Sequence, residues 1–389
     1  MVQVSGGDLQ RLRQLNSLGS IQVLRTAPGP LTLSELGAGT GLSRASIGDV
    51  IGALVDLGWV VEAPPEPGGI GRPARRYRFH AETGHVLGVD IGVHKVLATV
   101  TDLGGRAVAS GRVAAEPDLP RAERLDALDR AVQACLLAAG MTPADIWSVT
   151  AGTVGVVDRE GVIARVAAIP DWAGTDLVGH LGRTFSCPIT VENDSKLAAL
   201  AEHRIGVARE TRDLVFIQAG RRPGAALIIG GALHHGFNGF TGEVGLLENT
   251  GWPTMIETLE GCPVARGAAG AEAAGLVFAA ARNGVAAATQ AVERYAADLA
   301  VGTAAMVLTL DPELVVLGGG FSRSGDVLLD PFRRALEPLC LRMPEIRLST
   351  LGEECVVLGA ACLALSDLDQ QFFPPQGEIV PPAAPRRVV

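Results

Sequence analysis

The sequence has few of the features that mark a secreted or membrane protein. Its six cysteines are scattered, without a CxxC motif or any close pair, which argues against a disulfide scaffold. No signal-peptide pattern occurs near residue 1, and no apolar run approaches the roughly 18 residues that a membrane-spanning helix needs. We therefore expect a soluble, cytoplasmic protein with reduced thiols and no membrane contact.

The composition is also unlike that of disordered or fibrous proteins. Only 19% of the 389 residues are charged and 48% are hydrophobic, which is typical of a globular protein with two or three domains. Acidic residues give a net charge of −9. Residues 1–80, however, hold eight Arg against six acidic residues, whereas the remainder holds 25 basic against 36 acidic residues. Only the first segment suits a polyanionic partner.

Residues 32–57 have the pattern of a helix-turn-helix. Thr32 and Glu35 have capping-box spacing at the start of the first helix. Gly41 fits a turn position that requires a positive φ, and Ser43 can cap the second helix. This pattern predicts two short helices joined by a tight turn.

The second helix has two different faces. Ile47, Ile51 and Leu54 form one stripe that is predicted to face inward. The helix N-terminus and the opposite side, with Ala45 and Asp49, then remain available to a DNA groove. The residues predicted to contact DNA from this helix are Ser43, Arg44, Ala45 and Ser46.

A basic wing is predicted after the helices. A preceding helix with Leu9, Leu12, Leu15 and Leu18 would cover the motif, and a strand begins at residues 59–62. Between residues 68 and 78 there are four arginines and no acid: Arg72, Arg75, Arg76 and Arg78. Tyr77 and Phe79 alternate with two of them, so the rings should pack inward while the guanidinium groups face phosphate.

We expect Arg72, Arg75 and Arg76 to contact double-stranded DNA from the wing. The alternative is that the helices are only a bundle corner and the arginines only a solvated strand face. The combination of helix-turn-helix and basic wing favours the DNA-binding interpretation.

Beyond residue 80 the sequence alternates strands and helices. Glycine-tipped strand pairs are predicted within 86–101 and again within 214–229, and a third strand within 107–113. The spacing of Leu125, Leu128, Val132 and Leu136 predicts a helix over 121–139. A strand follows over 147–157, and long Ala-rich helices lie between 268 and 310. The pattern predicts a duplicated α/β body with two lobes.

Four segments of this body resemble the ROK family of repressors, open reading frames and sugar kinases. They are Asp90-Ile91-Gly92, Glu192-Asn193-Asp194, the segment 238–245, and Asp311-Pro312-Glu313 leading to Gly318-Gly319-Gly320. The resemblance covers nearly the whole chain and implies an actin-like, hexokinase-like α/β fold with a cleft between two lobes. Members with an N-terminal winged helix resemble the xylose-type and N-acetylglucosamine-type repressors.

On this basis we expect four parts. The winged helix-turn-helix occupies 1–82. The first lobe occupies 83–195 and is joined by a C-terminal helix near 358–370. The second lobe occupies 196–355, and a peripheral Pro-rich tail occupies 371–389.

The resemblance places Asp194 at the position of the kinase base, but both phosphate-binding hairpins depart from the family pattern. The family's Gly-Gly-Thr-Lys reads Gly92-Val93-His94-Lys95 here, and the second hairpin reads Ala219-Gly220-Arg221-Arg222-Pro223-Gly224. Proline has no N–H to donate to a phosphate. Lys95 and the two arginines could supply charge instead, but they do not restore a nest of amides. We predict no catalytic residue, no bound ATP and no kinase activity.

The triplet Gly318-Gly319-Gly320 leaves two interpretations open. It would lie near the family's adenosine pocket, and it also suits a purely structural turn at a strand end. It does not by itself predict nucleotide binding.

The resemblance also implies a sugar site. Asn193, Asp194, Glu243 and Glu257 match positions that hold sugar hydroxyls in the family. Two other positions of that site have lost their polar groups, since the family's His is Leu246 and its Asn is Ala168. The structural alternative is that Asn193 caps a helix starting near Ser195 and that Glu243 forms an internal salt bridge.

Zinc is not expected. Many ROK proteins hold a structural zinc with the same His and three cysteines, but residues 246–257 contain neither His nor Cys. Cys262 alone cannot replace four ligands, and His234 and His235 are adjacent in a predicted turn. We therefore predict no metal and no cofactor.

These observations favour a cytoplasmic transcriptional regulator of carbohydrate metabolism, a repressor that binds operator DNA as a homodimer or homotetramer. A sugar or sugar-like effector in the cleft would modulate binding. Two alternatives remain open: a sugar kinase with a fused DNA-binding domain, and a regulator that responds to a non-sugar metabolite or a partner protein.

Overall fold

The structure is a computed structural model that describes residues 6–64 and 74–387. The helices of the described chain are α1 Gly6–Thr26, α2 Leu33–Thr40, α3 Arg44–Leu57, α4 Arg121–Ala139, α5 Leu177–Leu181, α6 Asp194–Arg204, α7 Met255–Glu260, α8 Gly270–Arg282, α9 Ala286–Leu310, α10 Gly325–Leu336 and α11 Cys355–Phe372. The strands are β1 Leu31–Thr32, β2 Val60–Ala63, β3 Arg76–Phe79, β4 His85–Ile91, β5 Lys95–Asp102, β6 Ala107–Ala114, β7 Ile146–Thr153, β8 Val156–Val157, β9 Ile163–Arg165, β10 Ile189–Asn193, β11 Leu214–Gln218, β12 Gly224–Ile229, β13 Ala232–Leu233, β14 Leu314–Gly318 and β15 Glu345–Leu348.

The predicted helix-turn-helix is present. Glu35 N donates to Thr32 Oγ1 at 3.2 Å, and Thr32 N donates to Glu35 Oε2 at 2.7 Å, which completes the capping box of α2. Gly41 follows α2 with φ 74°, a conformation that favours glycine. Strands β1, β3 and β2 form an antiparallel sheet beside the helices. The segment 65–73, with the predicted Arg72 contact, lies outside the described residues.

Helix α1 covers the motif with different residues from those predicted. Leu12 and Leu15 are 54% and 51% exposed, whereas Leu18 packs on the core and Ile21 and Leu24 are buried in it. Along the first half of α1, Gln10 and Gln14 donate instead to Glu378 and to Pro374 O of the C-terminal segment. Leucine spacing alone does not show which half of a long helix is buried.

The two lobes of the body repeat one sheet. The first sheet has the order β10-β7-β4-β5-β6, and the second has the order β13-β12-β11-β14-β15. Each begins with an antiparallel hairpin, β4–β5 or β11–β12, whose first strand pairs in parallel with the next core strand, β7 or β14. The predicted duplication is therefore confirmed, with β4 equivalent to β11 and β7 to β14.

Helix α11 packs tightly against the body. The backbone of α6 approaches Gly359 so closely that a Cβ there would overlap Leu197 O, and Gly88 of β4 leaves no room for a Cβ beside Val357 O. Among the described residues, the segment Gly352–Phe372 is also long and apolar enough to cross a membrane by length and composition. Its packing on α6 and β4 identifies it as a core helix.

The Pro-rich tail is mostly exposed, as expected, but its first residues are buried and it is bonded to both the winged helix and the first lobe. Phe372 and Phe373 are buried against Trp59, with ring centroids 5.3 and 4.6 Å from its ring. Trp59 Nε1 donates to Val380 O at 2.7 Å, and Arg387 N donates to Ser186 O at 2.7 Å. The segment is thus held by single backbone groups of Val380 and Arg387 rather than by a core of its own.

Candidate DNA interface and ligand cleft

Helix α3 exposes the side that the sequence predicted. Arg44 and Ala45 are exposed, while the apolar stripe is buried in the winged-helix core: Ile47, Ile51 and Leu54. Ser43 Oγ accepts from Ser46 N at 3.2 Å and lies 2.9 Å from Ser46 Oγ. The two hydroxyls thus complete the N-terminal cap, and Arg44 is the charged group of this helix start.

The wing arginines are less available than predicted. Arg76 is only 25% exposed at its side chain, donates to Pro30 O at 2.9 Å and pairs with Glu35 at 3.4 Å. Arg78 donates to Glu82 at 2.6 Å. Arg75 is 65% exposed and lies 3.5 Å from Glu62. Arg76 and Arg78 are thus each held by an acidic residue, and Arg75 is the most exposed of the three. Their contacts with phosphate stay predictions.

A cavity of about 690 Å³ lies between the two lobes, within the size range of small-molecule sites. The first lobe lines it with the tip of the β4–β5 hairpin, with segments 154–156 and 165–168, and with residues 193–195. The second lobe lines it with residues 218–225, Glu243, Leu246 and Gly320. Ala168 also lines it, so both substituted family positions do lie at the cleft.

Asp194 is the most constrained acid of the cleft. Its Oδ1 accepts from Ser195 N at 2.8 Å, and its Oδ2 accepts from Gln218 Nε2 at 3.0 Å. Burial raises the pKa of the Asp194 carboxyl above its ordinary value, while the bonds from Gln218 and Ser195 lower it. Sequence analysis missed Gln218. Its position in the sequence could have identified it. Gln218 lies two residues before the hairpin glycine Gly220, just as Asp90 lies two residues before Gly92.

Asn193 has the structural role that was left open. Its Oδ1 accepts from Lys196 N at 3.1 Å and caps α6, while its Nδ2 donates to Gly155 O at 2.8 Å. Both ends of the amide are thus used, and a ligand must bind beside these bonds or replace one of them.

Glu243 forms no ion pair within the described part of the chain, contrary to the structural alternative. Burial raises its pKa; the charge of Lys196 lowers it and that of Asp194 raises it. Lys196 itself lies 3.5 Å from Glu192 and donates to Gly239 O. Glu243 therefore remains a cleft carboxyl group without a fixed partner.

Glu257 does not line the cleft. It is exposed on α7, where Met255 and Leu259 face the core. Two residues along a helix turn a side chain by about 200°, so burying Met255 directs Glu257 to solvent. Glu248 lines the cleft instead. The sequence analysis did not select Glu248, because the loop is shortened and its alignment with the family is loose.

The first hairpin is held from inside the lobe. The fully buried Arg124 donates to Gly92 O at 2.7 Å, to Val93 O at 3.3 Å and to Glu116 O at 2.6 Å. Lys95 Nζ donates to Glu353 O at 2.6 Å and lies 3.8 Å from Asp90 Oδ2. Lys95 is thus paired within the protein, which argues against its role as a phosphate ligand.

The second hairpin is open to the cleft. Tyr295 Oη donates to Gly220 O at 2.9 Å and anchors its base. Arg221 and Arg222 at its tip are exposed and line the cavity. Burial and the neighbouring charge of Arg221 lower the pKa of Arg222.

The glycine triplet 318–320 begins with the last residue of β14. Packing or backbone conformation accounts for glycine at two of its three positions. Phe216 lies against Gly318, and Gly319 has φ 82° with Ala219 O where a Cβ would lie. Gly320 lines the cavity and has open space at the Cβ position. The retained glycines therefore need no nucleotide to explain them.

Two family profiles match parts of this chain, and that of the ROK family covers most of it. The profile of the ROK family matches residues 86–263 and 267–367. The profile of the IclR helix-turn-helix domain matches residues 20–64, which span the end of α1, α2, α3 and β2.

Similar proteins include both regulators and kinases. The xylose repressor of Caldicellulosiruptor bescii is 22% identical, and the match covers 93% of this chain and 98% of that protein. The crystal structure of a ROK family transcriptional regulator, a homologue of the E. coli MLC protein, has a TM-score of 0.71 at 18% identity and covers 94% of this chain and 100% of that one. A ROK family glucokinase from Streptomyces griseus, in complex with glucose and AMPPNP, has a TM-score of 0.60 at 26% identity and covers 73% and 100%.

Proposed function

This chain belongs to the ROK family and carries a helix-turn-helix domain at its N-terminus, and on this premise we propose that it is a transcriptional repressor controlled by a sugar or related metabolite in the cleft. The observation that carries the proposal is the exposed start of α3, with Arg44 and Ala45 outward and a buried stripe behind it. The similar regulators span 93–94% of this chain, whereas the glucokinase match covers 73%.

Kinase activity is not part of the proposal. A phosphoryl-transfer site needs backbone N–H groups directed at the phosphates. In the first hairpin Gly92 N already donates to Lys95 O, and the second contains Pro223, which has no N–H, and two arginines. ADP release from Mg–ATP with a panel of hexoses and pentoses tests the alternative; we expect none above a no-sugar blank, and sugar-dependent release would establish the kinase instead.

The retained carboxyl groups support a sensor. Asp194 and Glu243 both line the cavity, and carboxylates accept hydrogen bonds from sugar hydroxyls. A ligand changes DNA affinity only if it binds the open and closed forms unequally. Xylose is the first probe, because the similar repressor is named for it; a non-sugar effector is the alternative that a screen of metabolites by thermal shift would identify.

The DNA-binding role is tested with Arg44→Ala. On an operator selected from genomic fragments, we expect a loss of about 1 to 3 kcal/mol, because an arginine at the start of a recognition helix reads a base edge or adjacent phosphate. Arg75→Ala is the matched control: it should weaken all duplexes alike and reduce the salt slope by about one unit. Equal losses for Arg44→Ala on operator and random DNA would remove the base-reading role.

The sensor role is tested by operator titration with and without an effector. A coupling of about 1 to 3 kcal/mol changes operator affinity roughly 5- to 150-fold. Asp194→Asn or Glu243→Gln should reduce that change. If both variants respond like the wild type, the cleft is scaffold and the effector binds elsewhere.

The remaining parts of the proposal concern the oligomeric state of the protein and its metal content. We propose that the protein is a cytoplasmic homodimer or homotetramer, since an oligomer with twofold symmetry would bind paired half-sites. Sedimentation velocity checks the oligomeric state. We also propose that the protein holds no zinc; elemental analysis after chelation and gel filtration should find less than one zinc per chain, and one per chain would show a site formed by distant cysteines.

A further inference from the structure

A second, smaller cavity lies between α11, the end of α6 and the turn that joins β5 to β6. Its volume is about 240 Å³, and we call it the α11 cavity. One stripe of α11 forms its main wall, with the spacing of a helix face; the residues of this stripe are Leu358, Ala361, Cys362, Leu365, Ser366 and Asp369. The turn contributes Gly104 and Gly105, which have no side chains to fill the space. No residue lines both this cavity and the interlobe cleft.

Thr101 of β5 lines the α11 cavity and carries a hydroxyl group without a partner. Val100 faces the core of the first lobe, so the alternation of the strand turns Thr101 to the opposite side, where α11 packs. Thr101 is 1% exposed, and its Oγ1 accepts and donates no hydrogen bond within the described residues. Leaving a buried hydroxyl unpaired costs free energy. A polar group of a ligand in the cavity would remove that cost.

The uncompensated charge at the α11 cavity is positive. Asp369 is already paired, because Arg25 of α1 places its Nη1 2.8 Å from each carboxylate oxygen. Arg204 ends α6, is exposed and forms no ion pair or hydrogen bond among the residues that the structure describes. Burial raises the pKa of Asp369 and of Cys362, and the charge of Arg204 lowers both. Two cations thus face one carboxylate, and Arg204 is the unpaired one.

We propose that the α11 cavity binds a small hydroxy acid, whose carboxylate pairs with Arg204, whose apolar chain lies against Leu358 and Leu365, and whose hydroxyl bonds to Thr101. A guanidinium group favours a carboxylate partner. A threonine hydroxyl both donates and accepts, as a ligand hydroxyl does. The cavity is smaller than the roughly 300 Å³ of the smallest drug-sized sites, which limits the ligand to a short chain.

The α11 cavity adjoins the ion pair that joins the winged helix to the body. Arg25 reaches Asp369 across the rings of Phe79 and Phe373, whose centroids lie 4.4 and 5.0 Å from its guanidinium carbon. An anion on Arg204 removes one of the two cations that compensate Asp369. Ligand binding is therefore coupled to the attachment of α1. The effect of this coupling on DNA binding rests on the proposed function.

Three probes test the site: 3-hydroxybutyrate, butyrate, which lacks the hydroxyl, and 1,3-butanediol, which lacks the charge. Each is titrated into the full chain at constant ionic strength and followed by saturation-transfer NMR. We expect 3-hydroxybutyrate to bind about fivefold or more tightly than either of the others. Arg204→Ala should remove its advantage over the diol, and Thr101→Val its advantage over butyrate. Arg209→Ala, an exposed arginine that does not line the cavity, is the control and should bind like the wild type.

The stability of Thr101→Val separates ligand binding from a role in the fold. The substitution removes a group that has no partner in the described protein, so the Tm should not fall. A lower Tm would show that the hydroxyl serves the fold and would contradict the proposal. No saturable binding of 3-hydroxybutyrate, equal affinity for the three probes, or advantages that survive in the variants would also overturn it.

Operator titration with and without 3-hydroxybutyrate tests the coupling. We expect the bound probe to change operator affinity about fivefold or more. An unchanged affinity contradicts the link between the cavity and the winged helix. A protein that binds the probe but no DNA contradicts the repressor function and not the site.

Discussion

The two lobes share one strand order but use the same position for different chemistry. Asp90 lies opposite Gly152 across β4–β7, and Gln218 lies opposite Gly318 across β11–β14. Asp90 is a buried carboxyl group 3.8 Å from Lys95, whereas Gln218 is a neutral donor to Asp194. In the first lobe the residue at this position, Asp90, thus lies beside a cation of its own hairpin. In the second lobe the residue at this position, Gln218, lines the cleft.

The hairpins that follow these residues differ in the same way. Arg124 binds the carbonyl groups of the first hairpin from below, while the second presents Arg221 and Arg222 to the cavity. Arg124 therefore stabilises the fold, whereas Arg221 and Arg222 line the cavity. The comparison shows that the fold holds the first hairpin, whereas the second presents two charged side chains to the cavity.

The strongest test of this contrast is Arg124→Ala. We expect the free energy of unfolding to fall by about 3 to 5 kcal/mol, because three carbonyl groups lose their donor and removal of the buried Arg124 side chain leaves a cavity. Urea denaturation followed by fluorescence measures it. Arg130→Ala, exposed on the same helix, is the control and should change stability by less than about 0.5 kcal/mol. Similar losses for both would mean that the hairpin does not depend on Arg124.

A pH series tests the buried charge of the first lobe. Burial raises the pKa of Asp90 to about 7, although Lys95 lowers it. A carboxyl group with a raised folded-state pKa contributes stability at low pH that is lost as the pH rises from about 4 through about 7. Asp90→Asn should remove that loss, so its stability relative to the wild type should improve by about 2 to 4 kcal/mol between pH 4.5 and pH 8. Parallel curves for the two proteins would contradict a raised pKa.

Gln218→Leu tests the equivalent position of the second lobe. Asp194 Oδ2 then lacks its donor in a buried setting, and we expect a loss of about 1 to 3 kcal/mol. Because the bond to Gln218 lowers the pKa of Asp194, removing it raises that pKa further, and the loss should be larger at pH 8 than at pH 5. Unfolding at both pH values measures this; an effect independent of pH would indicate lost packing only.

The smallest effect is expected for Arg221→Ala. Its side chain is exposed and forms no ion pair within the described residues, so stability should change by less than about 0.5 kcal/mol. Thermal unfolding in chloride buffer measures it. A loss as large as that of Arg124→Ala would show that both hairpins are held in the same way and would end the contrast between the lobes.

Local features were predictable from sequence because their causes are local. The capping box of Thr32, the positive φ of Gly41 and the helix over 121–139 depend on residues within a few positions of one another. The bonds from Arg124 to Gly92 and from Arg76 to Pro30 join residues 32 and 46 positions apart. The spacing of apolar residues along the sequence does not predict contacts between residues so far apart.

The candidate site shows the same limit. Asp194, Asn193 and Glu243 line the cleft as their family positions implied, because the end of β10 and a loop that matches the family motif carry them. Glu257 does not, since its placement depends on which face of the short helix α7 is buried. The binding roles of all these residues stay predictions.

The bonds of segment 373–387 have a consequence for synthesis. Trp59, made among the first residues, finds its partners Phe373 and Val380 only after more than 300 further residues have been added. A ribosome adds about 5 to 20 residues per second. Many seconds therefore pass between the synthesis of Trp59 and that of its partners in the C-terminal segment. A nascent chain can therefore fold its helix-turn-helix early but cannot complete the packing around Trp59 until translation has passed residue 380.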